Sequence, residues 1–174
     1  MSGSQSQVLY TPEQRARRDA TRWTLVQGIL APVQFFVFLL SLYLVVNSLK
    51  TGENTDWALI SVVIKTVVLY AIMITGSIWE KVVFGKYLFA DGFFWEDVFS
   101  MLVLALHTAY LYFLWNGTLS ANELIYLALA AYVAYLINAA QFLWKLRVAR
   151  YEGVGEETVL AEERNDRNVS GGMA

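Results

Sequence analysis

Residues 24–46 read TLVQGILAPVQFFVFLLSLYLVV, a run without a single charged side chain. A helix needs about 20 apolar residues to cross the hydrocarbon core of a bilayer, so this run is long enough to span a membrane. It is too long for the apolar part of a signal peptide and no cleavage site of small residues follows it, so we interpret it as a retained helix. Further apolar blocks lie at 57–79, 98–115 and 124–144. The sequence therefore predicts an all-α integral membrane protein built as a bundle of four transmembrane helices.

The composition excludes an ordinary soluble domain. Of the 174 residues, 57% are hydrophobic and only 16% are charged, whereas soluble domains carry about 25% charged residues. The formal net charge of −2 gives no basis for nucleic-acid binding. The chain contains no cysteine, which excludes disulfides, iron–sulfur clusters, cysteine-ligated zinc and covalently attached haem. We therefore expect most of this chain to lie in membrane lipid.

Tryptophan and basic residues indicate the ends and the orientation of the spans. All six tryptophans lie at the ends of apolar blocks, as in the aromatic belts of membrane proteins. Lys and Arg concentrate in the N-terminal arm, in the middle connection and just after the fourth block, which predicts both termini and that connection on the cytoplasmic side. The predicted parts are a basic arm, 1–22, a four-helix transmembrane domain, 23–146, with an aromatic and acidic connection, 80–97, and an acidic, disordered tail, 147–174.

Polar side chains recur at helical spacing within the apolar blocks. Such residues are costly in lipid and usually face a bundle interior or a cavity, although Gln, Asn and Ser also simply join helices by hydrogen bonds. Gln34 lies on the same face of the first helix as Gln27. One group falls in the predicted cytoplasmic half and comes from all four helices, so we predict that its members share a site: Gln27, Glu80, Glu96, Asp97, Asn138 and Gln141.

The middle connection, WEKVVFGKYLFADGFFWED at 79–97, combines seven aromatic side chains with four carboxylates. One interpretation is an interfacial loop anchored by its rings. The other is the floor of a site for a flat, apolar ligand, with carboxyl groups held away from water. Burial raises the pKa of a carboxyl group, and a glutamate that stays protonated in this way can act as an acid.

His107 is the only histidine of the chain, and Lys65 lies near the middle of the second span. A single histidine excludes a bundle with two axial histidines per haem. His107 is either hydrogen-bonded to a neighbour within the bundle or a lone axial ligand to the magnesium of a pigment. Lys65 is either a snorkelling lysine or the charge partner of a buried carboxylate. No phosphate-binding loop, HExxH motif or nucleophile elbow occurs, so nucleotide-dependent chemistry and zinc or serine hydrolysis have no support.

Several longer stretches are similar to one family. They read YTPEQR (10–15), RWTLVQGILAPVQF (22–35), IWEKVVFGKYLF (78–89), FFWED (93–97), ALHTAY (105–110) and NAAQFLWK (138–145). Over these stretches the chain resembles the vinyl bacteriochlorophyllide hydratases of bacteriochlorophyll biosynthesis. The resemblance implies a hydro-lyase that adds water to the 3-vinyl group of chlorophyllide a, or of 3-vinyl bacteriochlorophyllide a, and forms a 3-(1-hydroxyethyl) group.

The polar residues suit this implied chemistry. An acid would protonate the terminal carbon of the vinyl group, and water would then add to the cation at the inner carbon. We expect Glu80 or Glu96 to be the acid, with Asp97 the weaker candidate for the base. Asn138, Gln141 and Gln27 are expected to hold the water, and Lys81, Lys145 or Arg22 to meet the propionate. The complete set of expected substrate contacts is Gln27, Gln34, Lys65, Trp79, Lys81, Phe84, Tyr87, Trp95, His107, Asn138 and Gln141.

The resemblance also implies the partners and the location. We expect a multi-pass protein of a bacterial inner membrane, cytoplasmic or intracytoplasmic, whose partners are a tetrapyrrole substrate, water and lipid, with contacts to other pigment-synthesis enzymes also open. No cofactor is expected, because the substrate carries its own magnesium. A non-catalytic pigment-binding or assembly protein is the alternative, and it would use the rings and His107 but not the carboxylates. A transporter is disfavoured, because no span is broken by paired Gly or Pro residues.

Overall fold

The computed structural model describes residues 9–171, and for residues 152–171 it describes the backbone alone. Over this range the chain forms five helices: α1 (Pro12–Ala20), α2 (Arg22–Thr51), α3 (Thr55–Phe84), α4 (Phe94–Asn116) and α5 (Ala121–Gly171). Helices α2 to α5 are each long and apolar enough to cross a membrane. The predicted all-α class and the four long apolar helices are therefore confirmed.

Helices α2 to α5 pack as a bundle in which sequence neighbours run antiparallel. The largest contacts join α2 to α3 and α4 to α5, while α5 also contacts α2 and α3. In the core Phe38 packs edge-on against Tyr132, with ring centroids 5.3 Å apart, and Ala128 and Ala131 of α5 are fully buried. Small residues at such positions allow neighbouring helices to approach closely. The outer faces carry exposed large apolar side chains such as Phe36 and Ile64, which is the surface that lipid-facing helices need.

The helices extend beyond the apolar blocks that predicted them, and this moves the carboxylates. Glu80 lies in the last turns of α3, and Glu96 and Asp97 lie in the first turn of α4. The connection predicted at 80–97 is therefore only residues 85–93. Hydropathy marks the apolar part of a helix rather than its whole length, and carboxylates are favourable in the first turn of a helix because they face its positive end.

Helix α1 lies in the arm that the sequence analysis describes only as basic and polar. The Thr11 hydroxyl accepts a hydrogen bond from the Gln14 N–H at 3.2 Å, and the Gln14 side-chain oxygen accepts one from the Thr11 N–H at 2.9 Å. This reciprocal capping box, with Pro12 at the first helical position, starts the helix. Helix α1 packs against α3, and we call the end of the bundle that carries it the α1 end.

Helix α5 continues past the predicted fourth span, and its backbone stays helical to Gly171. The sequence predicts a disordered tail from 147 because this segment is acidic and poor in apolar residues. The structure differs here, since Glu, Ala, Leu and Arg residues in the segment have high helix propensity. The remainder of the predicted arm and tail, residues 1–8 and 172–174, lies outside the described residues.

Candidate active site

Two buried carboxyl groups meet at the α1 end, where α3 ends and α4 begins. Glu80 and Asp97 are 6% and 2% exposed, and their side chains lie within hydrogen-bonding distance of each other. A carboxylate only accepts hydrogen bonds, so this bond forms when one of the two groups carries a proton. With both ionised, the Glu80 Oε2 atom is buried without a donor among the described residues. The arrangement therefore suits a pair that holds one proton between two oxygens.

The segment between α3 and α4 donates a backbone N–H group to this pair. The Phe89 N–H donates to Asp97 Oδ2 at 2.6 Å. Phe89 has a φ of 58°, a left-handed backbone conformation that is unfavourable for a bulky residue. Such strained residues persist where surrounding contacts hold them, and they concentrate at functional sites. The carboxyl pair thus fixes the conformation of the segment that covers it.

Glu96 has a different environment from its neighbour Asp97. The Lys145 ammonium donates to Glu96 Oε2 at 3.0 Å and forms a salt bridge with it. The same ammonium lies 5.5 Å from the centre of the Phe93 ring. Glu96 is therefore engaged by a cation from α5, whereas Glu80 and Asp97 are engaged by each other.

Amide side chains on α2 and α5 have buried polar atoms without partners among the described residues. Asn138 donates to the Ser100 hydroxyl at 2.9 Å, which orients its amide and leaves its Oδ1 atom unpaired among the described residues. Gln141 Oε1 and both polar atoms of Gln34 are likewise buried and unpaired in this part of the chain. Buried polar groups usually have a protein or water partner. These atoms are therefore candidates for holding a water molecule or a polar group of a ligand.

The helix pairing places Gln34 at the level of Asn138. Helix α2 runs antiparallel to α5, and Phe38 packs against Tyr135 with ring centroids 4.9 Å apart. One turn from this contact towards the α1 end are Gln34 on α2 and Asn138 on α5. Gln27 lies about two turns nearer the start of α2. Its side chain donates to the Thr75 hydroxyl at 2.8 Å, so its amide group is already engaged between helices.

Five aromatic rings pack against one another at the α1 end, and we call them the aromatic cluster: Tyr10, Trp79, Phe84, Phe93 and Phe142. The Tyr10 ring stacks on Phe84 with centroids 5.6 Å apart and planes 18° apart. Burial raises the pKa of the Tyr10 phenol to about 12, so it remains protonated at neutral pH. Trp79 donates its indole N–H to the Thr24 hydroxyl at 2.9 Å. The cluster joins the arm, α3, α4 and α5.

The structure brings only some of the predicted aromatic and basic residues to this place. Trp79 and Phe84 belong to the aromatic cluster, but Tyr87 and Trp95 are 59% and 65% exposed, because the segment with left-handed Phe89 and the start of α4 turn them outwards. Lys81 is exposed, and it donates to the Gly85 carbonyl at 2.9 Å. Arg22 is also exposed.

Lys65 and His107 form a separate buried pair in the middle of the bundle. The Lys65 ammonium lies 2.7 Å from His107 Nε2, and His107 Nδ1 donates to the Val103 carbonyl at 2.8 Å. Both side chains are 0% exposed, and the ammonium lies 4.1 Å from the centre of the Tyr135 ring. Lys65 takes neither of its two predicted roles, because a neutral imidazole and ring faces hold it inside the bundle. Both His107 nitrogens are engaged, so axial ligation of a pigment would require Lys65 to withdraw.

Sequence reasoning missed the part that Tyr10, Phe93 and Phe142 play at this site. Tyr10 is the one aromatic residue of the polar arm, and the capping-box pattern that follows it indicates an ordered structure there. Phe142 lies one residue after Gln141, and its contribution depends on how α5 packs. The backbone donor of Phe89 leaves no pattern in the sequence.

These features together define a helical protein that holds a pair of buried carboxyl groups among apolar helices, near a cluster of aromatic rings. The sequence profile of the 2-vinyl bacteriochlorophyllide hydratase family matches residues 10–148. A 2-vinyl bacteriochlorophyllide hydratase of Rhodobacter capsulatus is 61% identical over 161 residues, which cover 92% of this chain and 94% of the relative. Another, of Cereibacter sphaeroides, is 65% identical over 144 residues, or 83% of this chain and 89% of the relative. No solved structure matches the chain.

The chain belongs to the 2-vinyl bacteriochlorophyllide hydratase family. The resemblance seen in the sequence is thereby confirmed, and with it the enzyme class. The protein is a hydratase, a hydro-lyase of bacteriochlorophyll biosynthesis.

Proposed function

We propose that the chain adds water to the vinyl group of a chlorophyllide-type tetrapyrrole at the α1 end of the bundle. The names of its relatives specify a vinyl bacteriochlorophyllide. The observation that carries the proposal is the buried contact between Glu80 and Asp97. Hydration of an alkene needs a group that gives a proton and a group that takes one, and this pair offers both without bulk water.

The two carboxyl groups differ in what else contacts them. Asp97 receives the short hydrogen bond from the Phe89 N–H, which stabilises negative charge on it, whereas Glu80 keeps an oxygen without a donor. This supports Glu80 as the acid and Asp97 as the base. Glu96, paired with Lys145, is a structural anion in this scheme. We therefore assign the acid to Glu80 rather than to Glu96, a choice that the sequence leaves open.

The reaction returns the pair to its starting state. The Glu80 proton bonds to the terminal vinyl carbon, which becomes a methyl group, and the macrocycle delocalises the cation left at the inner carbon. A water oxygen then bonds to that carbon and releases one proton to the pair. General acid–base assistance of this kind contributes about 10²–10⁴-fold. The net change is the consumption of one water molecule.

Side chains around the pair orient the reactants. The unpaired oxygen of Asn138 or Gln141 accepts one hydrogen of the attacking water, the other hydrogen points to Asp97, which takes that proton, and a lone pair of the water oxygen is left for the carbon. Gln27 is less suited to this role, because its amide is engaged with Thr75. Phe84 and Trp79 contact the face of the macrocycle. Lys145, whose side chain is 28% exposed, lies where a propionate could meet it, and Lys81 and Arg22 are exposed at the same end.

We further propose that the α1 end faces the cytoplasm from a bacterial inner membrane, so that both termini are cytoplasmic. Basic residues support this orientation, since the two connections at the opposite end contain no Lys or Arg, and Lys50 in the last turn of α2 is the basic residue next to them. Water and the polar propionate side of the substrate are then available where the carboxyl pair lies. The scheme uses no cofactor beyond the magnesium that the substrate itself carries.

The test is to incubate membranes that contain the protein with chlorophyllide a in deuterated water and to extract the pigment. Loss of a conjugated vinyl group should move the red absorption band to shorter wavelength, and mass spectrometry should find deuterium in the new methyl group. An unchanged extracted pigment would contradict hydration. A hydrated product without deuterium on carbon would contradict the proton step.

A further inference from the structure

Two residues of the arm, Leu9 and Tyr10, pack against the aromatic cluster and against the segment whose Phe89 N–H donates to Asp97. Tyr10 is 2% exposed, although the α1 helix that follows it contributes no buried residue of its own within the described range. Its ring lies between Phe84, on which it stacks, and the Arg18 guanidinium, 4.9 Å from the ring centre. Tyr10 is thus inserted into the bundle from an element that otherwise lies on its surface.

Leu9 rests on the short segment that carries the backbone donor of the site. A Cβ atom placed on Gly92 would lie 3.1 Å from Leu9 Cδ1 and 3.5 Å from the Leu9 carbonyl oxygen. The absence of a side chain at Gly92 therefore lets the arm approach this closely. Gly92 lies three residues after Phe89, whose N–H donates to Asp97.

The five rings of the aromatic cluster pack against one another, so a macrocycle can stack on Phe84 only after one of these rings moves. Trp79, Phe84, Phe93 and Phe142 lie on or directly beside bundle helices, so moving them would disturb interhelical packing. Tyr10 is the member of the aromatic cluster that comes from the arm. It can therefore move without separating two of the four long helices.

We propose that the macrocycle takes the stacking position on Phe84 that Tyr10 occupies in the ligand-free protein, and that Leu9 and Tyr10 move away from Gly92 to admit it. This rests on the proposed location of the active site. A flat aromatic ring occupies the position in both states. The 18° angle between the Tyr10 and Phe84 planes is already that of a stacked pair. Tyr10 is then a residue that tunes substrate affinity by competing with the substrate.

A reversible cross-link tests the movement. The chain has no cysteine, so Leu9→Cys combined with Gly92→Cys offers a single disulfide, and the first substitution removes the leucine atom nearest the new side chain. Oxidation should lower turnover at least about tenfold, because the cross-linked arm cannot move away from Gly92. A reductant should restore the turnover. The single-cysteine variants under the same oxidant are the controls. Full turnover of the cross-linked protein, or failure of the pair to cross-link, would overturn the proposal.

Substitution of Tyr10 tests the competition through binding rather than activity. Tyr10→Ala should lower the dissociation constant of chlorophyllide a by about 2- to 10-fold, because a stacked aromatic pair no longer has to be broken. Tyr10→Phe keeps the ring and should bind as the wild type does. Weaker binding by the alanine variant, with the fold intact by its melting curve, would show that Tyr10 is instead a wall of the site. An active Glu80→Gln variant would contradict the proposed acid but would leave these two results unchanged.

Discussion

Replacing Glu80 with glutamine should remove most of the turnover while leaving the fold intact. Glutamine has nearly the same shape, and its amide N–H can donate to the Asp97 carboxylate, so the contact between α3 and α4 is kept. Because glutamine carries no charge, the variant no longer has a buried charged oxygen without a donor at the position of Glu80 Oε2. We therefore expect the free energy of unfolding to change by no more than about 1 kcal/mol, the net value of a single hydrogen bond.

The loss of rate follows from the missing proton. General acid–base catalysis contributes about 10²–10⁴-fold, which corresponds to about 3–5 kcal/mol of barrier at 1.36 kcal/mol for each factor of ten. Bulk water cannot replace the acid, because Glu80 is only 6% exposed. We expect turnover of Glu80→Gln to fall at least about 100-fold, by the same general acid–base scale.

Glu96→Gln is the matched control, since it makes the same chemical change one residue from Asp97. It breaks the ion pair with Lys145 but leaves the Glu80–Asp97 contact, so turnover should fall less than about tenfold, far short of the loss of an acid catalyst. Both rates are read from the red absorption band of extracted pigment at saturating substrate. Near-normal turnover of Glu80→Gln together with a large loss in Glu96→Gln would refute the assignment of the acid.

Three further outcomes are expected. Reporter fusions at Ala174 and within residues 47–56 should show opposite sides of the membrane; the same side for both would contradict the four-span arrangement. Wild-type protein should hydrate magnesium-free substrate as well as the magnesium form, because both His107 nitrogens are engaged; a magnesium preference abolished by His107→Ala would instead establish axial ligation. His107→Leu should lower the free energy of unfolding by about 1–3 kcal/mol, because the buried Lys65 ammonium loses its acceptor, and adding Lys65→Met should restore it. Melting curves in detergent check this, and an unchanged single variant would count against the pairing.

The helices were largely predictable, because hydropathy and the positions of tryptophan report directly on apolar segments of membrane-spanning length. Helix α1 was predictable too, from the Thr11 to Gln14 capping pattern and Pro12. The carboxylates and amides were recognised as one group because polar residues in apolar helices converge on an interior. Hydropathy could not locate the start of α4 at Phe94, because the helix begins before the apolar block at 98–115.

Tertiary structure determines which partner each carboxylate contacts. Glu96 and Asp97 are adjacent in sequence, but successive residues of a helix point about 100° apart, so only one of them can face Glu80. Which one does so is decided by the rotation of α4 against α3 and by the reach of Lys145 from α5. In the same way, the exposure of Tyr87 and Trp95 depends on the path of residues 85–93 and on the rotation of α4, which no periodicity indicates.

The chemistry proposed here lies entirely at one end of the bundle, and this leaves the opposite end free for engineering. There the connections are short, residues 52–54 between α2 and α3 and residues 117–120 between α4 and α5. From Asp97 to Asn116 helix α4 rises about 30 Å at 1.5 Å per residue. A rigid scaffold protein inserted at residues 117–120 would therefore stand about the thickness of the hydrocarbon core away from the carboxyl pair. A 19.7 kDa protein enlarged in this way would become a tractable particle for electron microscopy with its substrate bound.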